Sequence, residues 1–142
     1  MPLVSVVIPT YNAANFIVDT ISSVLNQSHS DLEVIVVDDC STDDTASIVR
    51  NICDEDFRLT LIELEKNMGG PAGPRNVGVA NASGEWVCFV DADDLWHFTK
   101  ISRQLSVLNS LGASFCCTNI AVFTDKSDFV DVSFATIKDQ EC

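Results

Sequence analysis

Trp86-Val87-Cys88-Phe89-Val90-Asp91-Ala92-Asp93-Asp94 is a run of five apolar residues that stops on three carboxylates. Apolar residues without polar alternation suit a strand buried on both faces, as in a parallel sheet covered by helices. The acids then sit at the strand's carboxyl end. In an open α/β sheet the loops diverge at that edge and leave a crevice for ligands. Side chains two apart on an extended segment point the same way, so Asp91 and Asp93 can face one ligand while Ala92 faces elsewhere. Such a pair suits Mg²⁺ or Mn²⁺, which takes carboxylate oxygens and is often completed by substrate phosphates. The competing reading is a helix start decorated with acids, with Asp93 or Asp94 capping a helix that begins near Trp96.

The residues upstream repeat one pattern. Leu3 to Ile8 is a short apolar strand broken by Pro9-Thr10-Tyr11-Asn12. Ile17, Ile21, Val24 and Leu25 follow at helical spacing, with Asn12 or Asn15 available as cap. A second strand, Glu33 to Val37, ends on Asp38 and Asp39, and Ser41-Thr42-Asp43-Asp44 supplies the cap and acidic first turn of a helix reaching about Cys53. Leu59 to Leu64 reads as a third strand. It runs into a loop dense in Gly and Pro, Glu65 to Pro74, and a short helix marked by Val77, Val79 and Ala80. Beyond the acids, Ile101, Leu105 and Leu108 put one face of a helix on the core, and Gly112 stops it. Ala113 to Phe123 reads as a further strand or bent strand pair, and past Thr124 the pattern weakens.

Strand and helix alternate four times in this reading, which predicts a mostly parallel sheet with helices on both faces and right-handed crossovers. Tyr11, Asp39 and the Asp91–Asp93 pair all stand at strand ends, and in a parallel sheet those ends share one edge. That convergence is the functional signal.

The chain has 142 residues, 46% hydrophobic and 20% charged, which is one domain's worth of ordinary globular composition. No apolar run is long enough for a bilayer, and the N-terminus has no basic start or cleavage site, so the expected location is the cytoplasm. Cys40, Cys53, Cys88, Cys116, Cys117 and Cys142 fall inside apparent elements with no CxxC pair, which favours reduced thiols over zinc or disulfides. Twenty-one acids against eight Lys plus Arg give a net charge of −13, which argues against nucleic acid as a partner. A phosphorylated ligand can be held by so acidic a protein only where a metal and a few placed cations reverse the local field. Arg75 and Lys66 therefore stand out.

Each candidate has a plain alternative. Tyr11 offers a flat face for stacking on a base, or is an ordinary half-buried Tyr. One of Asp38 and Asp39 can bond loop amides while the other accepts from a base N–H. Arg75, behind the Gly-rich loop, can meet a phosphate or a base carbonyl, or make a surface salt bridge. His97 reads as a surface or supporting residue. The loop Gly69 to Gly73 is neither GxGxxG after the first strand nor GxxxxGK[ST], so a dinucleotide fold and a P-loop NTPase both fit poorly. A phospho-acceptor receiver domain also gathers aspartates at strand ends, but needs neither the Tyr nor the Gly-rich third loop.

Val6-Val7-Ile8-Pro9-Thr10-Tyr11-Asn12, Val36-Val37-Asp38-Asp39-Cys40-Ser41-Thr42-Asp43, Asn67-Met68-Gly69-Gly70 with Pro74-Arg75-Asn76, and Phe89-Val90-Asp91-Ala92-Asp93-Asp94 resemble, in order and spacing, the family 2 glycosyltransferases of GT-A fold. The resemblance implies a nucleotide-diphosphate sugar donor, a UDP-sugar first, and a carbohydrate or lipid-linked acceptor. It implies that Pro9, Tyr11, Asp39, Arg75 and Asp91 bind the nucleotide sugar: Tyr11 on the base, Asp39 on a base nitrogen, Arg75 on the base or pyrophosphate, and Asp91 toward the ribose. Asp93 would face Mn²⁺ or Mg²⁺ on the diphosphate. Such inverting enzymes use a separate carboxylate to deprotonate the acceptor. In the family that carboxylate lies on a later, acceptor-binding segment, and Asp125, Asp128, Asp131 and Asp139 match no such motif. The expectation is a single domain, 1–142, that is the donor-binding portion of a longer enzyme, with no transmembrane segment and a place in the cytoplasm or against the inner face of the membrane. The alternative is a non-catalytic nucleotide-sugar-binding module or inactive fragment. Phe98, often Pro in the family, and Cys40, often Gly, are departures outside the chemistry.

Overall fold

The computed structural model describes residues 2–118. Their elements run β1 (Val4–Thr10), α1 (Ile17–Leu25), β2 (Leu32–Asp38), α2 (Thr45–Glu55), β3 (Leu59–Glu63), α3 (Ala72–Asn81), β4 (Trp86–Phe89) and α4 (Lys100–Leu111). The chain divides into two compact units, Met1–Lys100 and Ile101–Cys142, and the candidate site lies wholly in the first.

The four strands order as β3-β2-β1-β4, and every pairing is parallel. β1 is central, and all seven of its residues are buried. Its β-branched run, like that of β2, suits a strand covered on both faces. The chain steps outward from β1 to β2 to β3, and α3 then carries it back across β2 and β1 to β4. Right-handed crossovers place α1 and α2 on one face and α3 on the other. The reversal lies between β1 and β4, so the loops leaving these two strands part and open a crevice at their carboxyl ends. α3 packs closely enough on the sheet that a Cβ on Gly78 would stand 2.3 Å from Val7 Cγ1.

At the opposite edge of the sheet, Ser5 in β1 is fully buried and donates to Glu33 Oε1 at 2.5 Å. The same carboxylate accepts from the Ser83 amide at 2.6 Å and the Gly84 amide at 3.1 Å, tying the turn before β4 to the start of the sheet. A Cβ on Gly84 would lie 2.7 Å from the Ser5 backbone nitrogen, so only glycine fits there.

Several local expectations are revised. β4 is not buried on both faces: among the described residues it pairs with β1 alone, and Val87 and Phe89 are 37% and 46% exposed. An apolar run records that a strand is apolar, not how many neighbours cover it. Neither Asn12 nor Asn15 caps α1, whose cap position is Phe16 with no side-chain bond. Asn12 is instead in the left-handed region, φ 49°, and its Oδ1 accepts from the Thr42 amide at 2.8 Å. The start of α2 is held by Asp43, whose Oδ1 accepts from the Thr45 amide at 3.0 Å. α4 buries Ile101, Leu105 and Leu108, and Gly112 ends it with φ 61°. Of the strand expected over Ala113 to Phe123, residues 113–118 are irregular and the rest lies outside the described residues, as do Asp125, Asp128, Asp131 and Asp139. Cys40, Cys53, Cys88, Cys116 and Cys117 are free thiols. Among the described residues no helix is long and apolar enough to cross a membrane.

Candidate functional site

The loops at the carboxyl ends of β1, β2 and β3 enclose a cleft of about 420 Å³, lined by Pro9, Thr10, Tyr11, Asp39, Asn67, Gly69, Gly70, Pro71 and Pro74. Tyr11 is half exposed, with its ring available to the cleft. Its position is set by its neighbours. Asp38, which is buried, accepts from the Ser41 hydroxyl at 2.5 Å and the Ser41 amide at 2.9 Å. Ser41 Oγ in turn accepts from the Asn12 amide at 2.9 Å. The β1–α1 and β2–α2 loops are thereby joined one residue from Tyr11.

Asp39 is buried among backbone groups: its amide donates to the Thr10 carbonyl at 2.8 Å, and its Oδ1 accepts from the Met68 amide at 2.8 Å. Asn67 Nδ2 donates to the Asp39 carbonyl at 3.0 Å. Both Asp38 and Asp39 thus bond loop amides. Asp39 Oδ2 takes no hydrogen bond from a described residue, which leaves an anionic acceptor in the wall of the cleft.

Arg75 lies in the first turn of α3, next to the cleft-lining Pro74. Its Nη2 pairs with Asp91 Oδ1 at 2.5 Å, and its guanidinium carbon stands 5.9 Å from the Phe89 ring centroid. Arg75 Nε is buried and makes no hydrogen bond with a described residue. A buried donor without an acceptor is costly, and a ligand oxygen would relieve it. Asp91 opens a turn closed by the Asp94 amide donating to the Asp91 carbonyl at 3.0 Å. Burial, followed by the charges of Asp93 and Asp91, pushes the Asp94 carboxyl above its ordinary value. The three acids therefore repel one another, a field that a divalent cation neutralises.

Among the described residues no three metal-ligating side chains converge. These carboxylates would supply Mg²⁺ or Mn²⁺ with only part of a ligand set, the rest coming from phosphate oxygens and water. The structure thus gathers Pro9, Tyr11 and Asp39 in one cleft and joins Arg75 to Asp91. Asp93 is exposed and makes no hydrogen bond or ion pair with any of them. His97 turns its ring to Thr99, Nδ1 to Oγ1 at 3.1 Å, and supports the loop behind the acids. Ser41, Asn12 and Asn67 were not legible as site residues. Beyond their place in the motifs that carry the family resemblance, their signal is the tendency of Asn and Ser to bond nearby backbone in turns.

The chain matches the family model described as Glycosyl transferase family 2 over residues 5–135. It belongs to that family. The putative teichuronic acid biosynthesis glycosyltransferase TuaG of Bacillus subtilis is 40% identical over 130 residues, covering 92% of this chain and 51% of that protein. The Escherichia coli UDP-Glc:alpha-D-GlcNAc-diphosphoundecaprenol beta-1,3-glucosyltransferase WfaP is 37% identical over 130 residues, covering 92% of this chain and 49% of that one. Among solved structures, Staphylococcus aureus TarS 1–349 in complex with UDP aligns with a TM-score of 0.70 at 38% identity, over 76% of this chain and 32% of TarS. The mannosyltransferase PcManGT from Pyrobaculum calidifontis, in complex with GDP-Man and Mn²⁺, aligns with a TM-score of 0.70 at 36% identity, over 75% of this chain and 32% of that protein. This glycosyltransferase family 2 chain spans about half the length of the two curated relatives and about a third of the two solved ones. The α/β expectation of a parallel, GT-A-like sheet is met.

Proposed function

We propose that this chain binds the donor of a glycosyltransferase, a nucleotide-diphosphate sugar with UDP as the first nucleotide to try, and serves transfer of the sugar to a carbohydrate or lipid-linked hydroxyl with inversion. The observation that carries the reading is the sorting of chemistry along one sheet edge. An aromatic ring and an anionic acceptor stand in the cleft at β1 and β2, and a guanidinium with acids stands at α3 and β4. The first set suits a base with a ring N–H. The second suits a diphosphate and a cation.

In this reading Tyr11 stacks on the base, Asp39 Oδ2 accepts the base N–H, and Pro9 shapes the floor. Arg75 turns its unsatisfied Nε and its Nη groups to donor oxygens, and Asp91 faces the ribose. Asp93 holds the Mg²⁺ or Mn²⁺, which when bound supplies Lewis-acid stabilisation to the leaving diphosphate. The transfer also requires a carboxylate to take the acceptor proton as the hydroxyl attacks the anomeric carbon.

Calorimetric titration with UDP and with GDP, each with and without Mn²⁺, tests the proposal. Metal-dependent binding of either supports it, and its absence for both rejects it. Incubation with the matching nucleotide sugar then separates an enzyme from a binding module, which would hold donor without transfer or hydrolysis.

A further inference from the structure

Helix α1 carries a second row of residues beside its apolar stripe. Thr20 and Ser23 on α1, and Gln27 two residues past its end, are spaced three and four apart, and the first and last are buried at 0% and 6% exposure. Buried polar groups need partners, and a helical Thr ordinarily finds one in the preceding turn of its own helix. Thr20 reaches instead to the loop that carries the acids, and Ser23 and Gln27 bond both that loop and the helix turn before them. Thr20 Oγ1 donates to the Ala92 carbonyl at 2.9 Å. Ser23 Oγ accepts from the Trp96 amide at 3.1 Å while donating to the Thr20 carbonyl at 2.8 Å. Gln27 Nε2 donates to the His97 carbonyl at 2.8 Å. The Ser28 amide adds a bond to the Phe98 carbonyl at 2.9 Å.

The Ala92 carbonyl belongs to the peptide group that joins Ala92 to Asp93. Because that group is planar, an oxygen held in place fixes the direction in which the backbone enters Asp93. On one side of this peptide Arg75 grips Asp91, and on the other the Asp94 amide closes the turn on the Asp91 carbonyl. Asp93 itself makes no hydrogen bond or ion pair with a described residue, so its direction is inherited from the backbone.

We propose that Thr20 is a positioning residue, whose hydrogen bond to the Ala92 carbonyl sets the peptide that carries Asp93 and so holds this carboxylate toward the diphosphate end of the site. The proposal rests on the donor-binding reading above. Ser23 and Gln27 anchor the back of the same loop, so α1 acts as the rail on which the acid loop is mounted.

The test uses the 142-residue chain. Thr20→Val keeps the shape and removes the donor, and Thr20→Ser keeps the donor. Two readouts are taken: hydrogen exchange of the Asp94 amide without ligand, and calorimetric affinity for UDP with Mn²⁺ against UMP without metal. The expectation for Thr20→Val is faster Asp94 exchange and about tenfold weaker Mn²⁺-dependent UDP binding, the scale of one lost hydrogen bond, with UMP affinity unchanged. Thr20→Ser restores both. Ser23→Ala, which removes the acceptor of the Trp96 amide without opening the core, gives the same split in smaller measure and serves if Thr20→Val does not fold. Unchanged UDP affinity in Thr20→Val overturns the proposal, as does an equal loss of UMP affinity, which marks general loosening. If the wild-type chain binds neither UDP nor UMP while exchange still slows at Asp94, the donor-binding reading has failed and the positioning role falls with it, leaving only a loop clamp.

Discussion

Arg75 Nη2 and Asp91 Oδ1 stand 2.5 Å apart, joining the first turn of α3 to the loop that leaves β4. The pair spans the topological reversal of the sheet, where ligands of such folds settle. Both side chains are substantially exposed, at 36% and 54%, so the pair itself contributes only about 0–1 kcal/mol to stability. Its importance lies in where it holds a scarce cation.

Arg75→Met is therefore expected to change thermal stability little and to weaken Mn²⁺-dependent UDP binding by about tenfold or more. Arg75→Lys restores little of it, because a point ammonium cannot make the planar, two-pronged contact of a guanidinium. A calorimetric titration beside a melting curve separates the two effects. Normal donor affinity in Arg75→Met would return Arg75 to the surface-salt-bridge reading.

Tyr11→Ala should reduce UDP affinity by roughly 1–3 kcal/mol, the range for a base losing an aromatic partner. Tyr11 is 51% exposed, so the melting temperature should hardly move. Tyr11→Phe keeps the stacking face and is expected to bind nearly as well as wild type. Equal affinity in all three would reassign Tyr11 to packing.

Glu33 offers a pH test remote from the site. Burial alone would raise its carboxyl, but hydrogen bonds from Ser5, from the Ser83 amide and hydroxyl and from the Gly84 amide outweigh it and hold the group below its ordinary 4.5. A carboxyl lowered by folding adds stability that is complete above its unfolded value and is lost as pH falls through the folded one. Stability should therefore drop as pH falls below about 4.5. In Glu33→Gln this acid limb flattens, and stability at neutral pH falls by about 1–3 kcal/mol, since charged hydrogen bonds are exchanged for neutral ones. Denaturant midpoints at pH 7 and pH 4 read both. An unchanged acid limb would remove Glu33 from the account.

Gly78→Ala tests the close approach of α3 to β1. The added methyl would meet Val7 Cγ1 at 2.3 Å, far inside van der Waals contact, and Val7 is fully buried and cannot turn away. The expected cost is about 1–3 kcal/mol despite the better helix propensity of Ala. Gly78→Ala with Val7→Ala should recover part of the loss. A single variant as stable as wild type would show that the helix can lift freely off the sheet.

These contrasts show what the sequence could and could not disclose. β1 and β2 were legible as strands because each is an apolar run with one simple explanation, and their parallel pairing follows from intervening helices too long for a hairpin. The end of β1 was not, because Pro9 and Thr10, expected to break the strand, continue it in register with Val37 and Asp38. The cover on β4 was not legible, because Val87 and Phe89 look the same whether or not a layer lies over them. Asn12 misled as a helix cap, since its side chain answers to Thr42, 30 positions away. Thr20 gave no signal at all. A Thr beside an apolar stripe is unremarkable until the Ala92 carbonyl, 72 residues on, is found against it. Site residues that touch ligand announce themselves by type and spacing, whereas those that hold them in place do so by distance in space.

Asp93→Ala brings the site's electrostatics to one measurement. The Asp94 carboxyl is raised first by burial and then by the charges of Asp93 and Asp91, so at neutral pH its ionisation works against the fold. A carboxyl raised in this way favours folding at low pH and opposes it as pH rises, and removing Asp93 relieves part of that opposition. Asp93→Ala should therefore be as stable as wild type or slightly more so at pH 7, with a stability profile that falls less steeply as pH rises above the ordinary 3.8. UDP binding should lose its dependence on Mn²⁺, because the carboxylate proposed to hold the cation is gone. UMP binding without metal should persist, since Tyr11 and Asp39 are untouched. A variant that kept metal-dependent affinity would move the cation away from Asp93. A variant that lost stability at neutral pH would mean that Asp93 supports the turn rather than straining it.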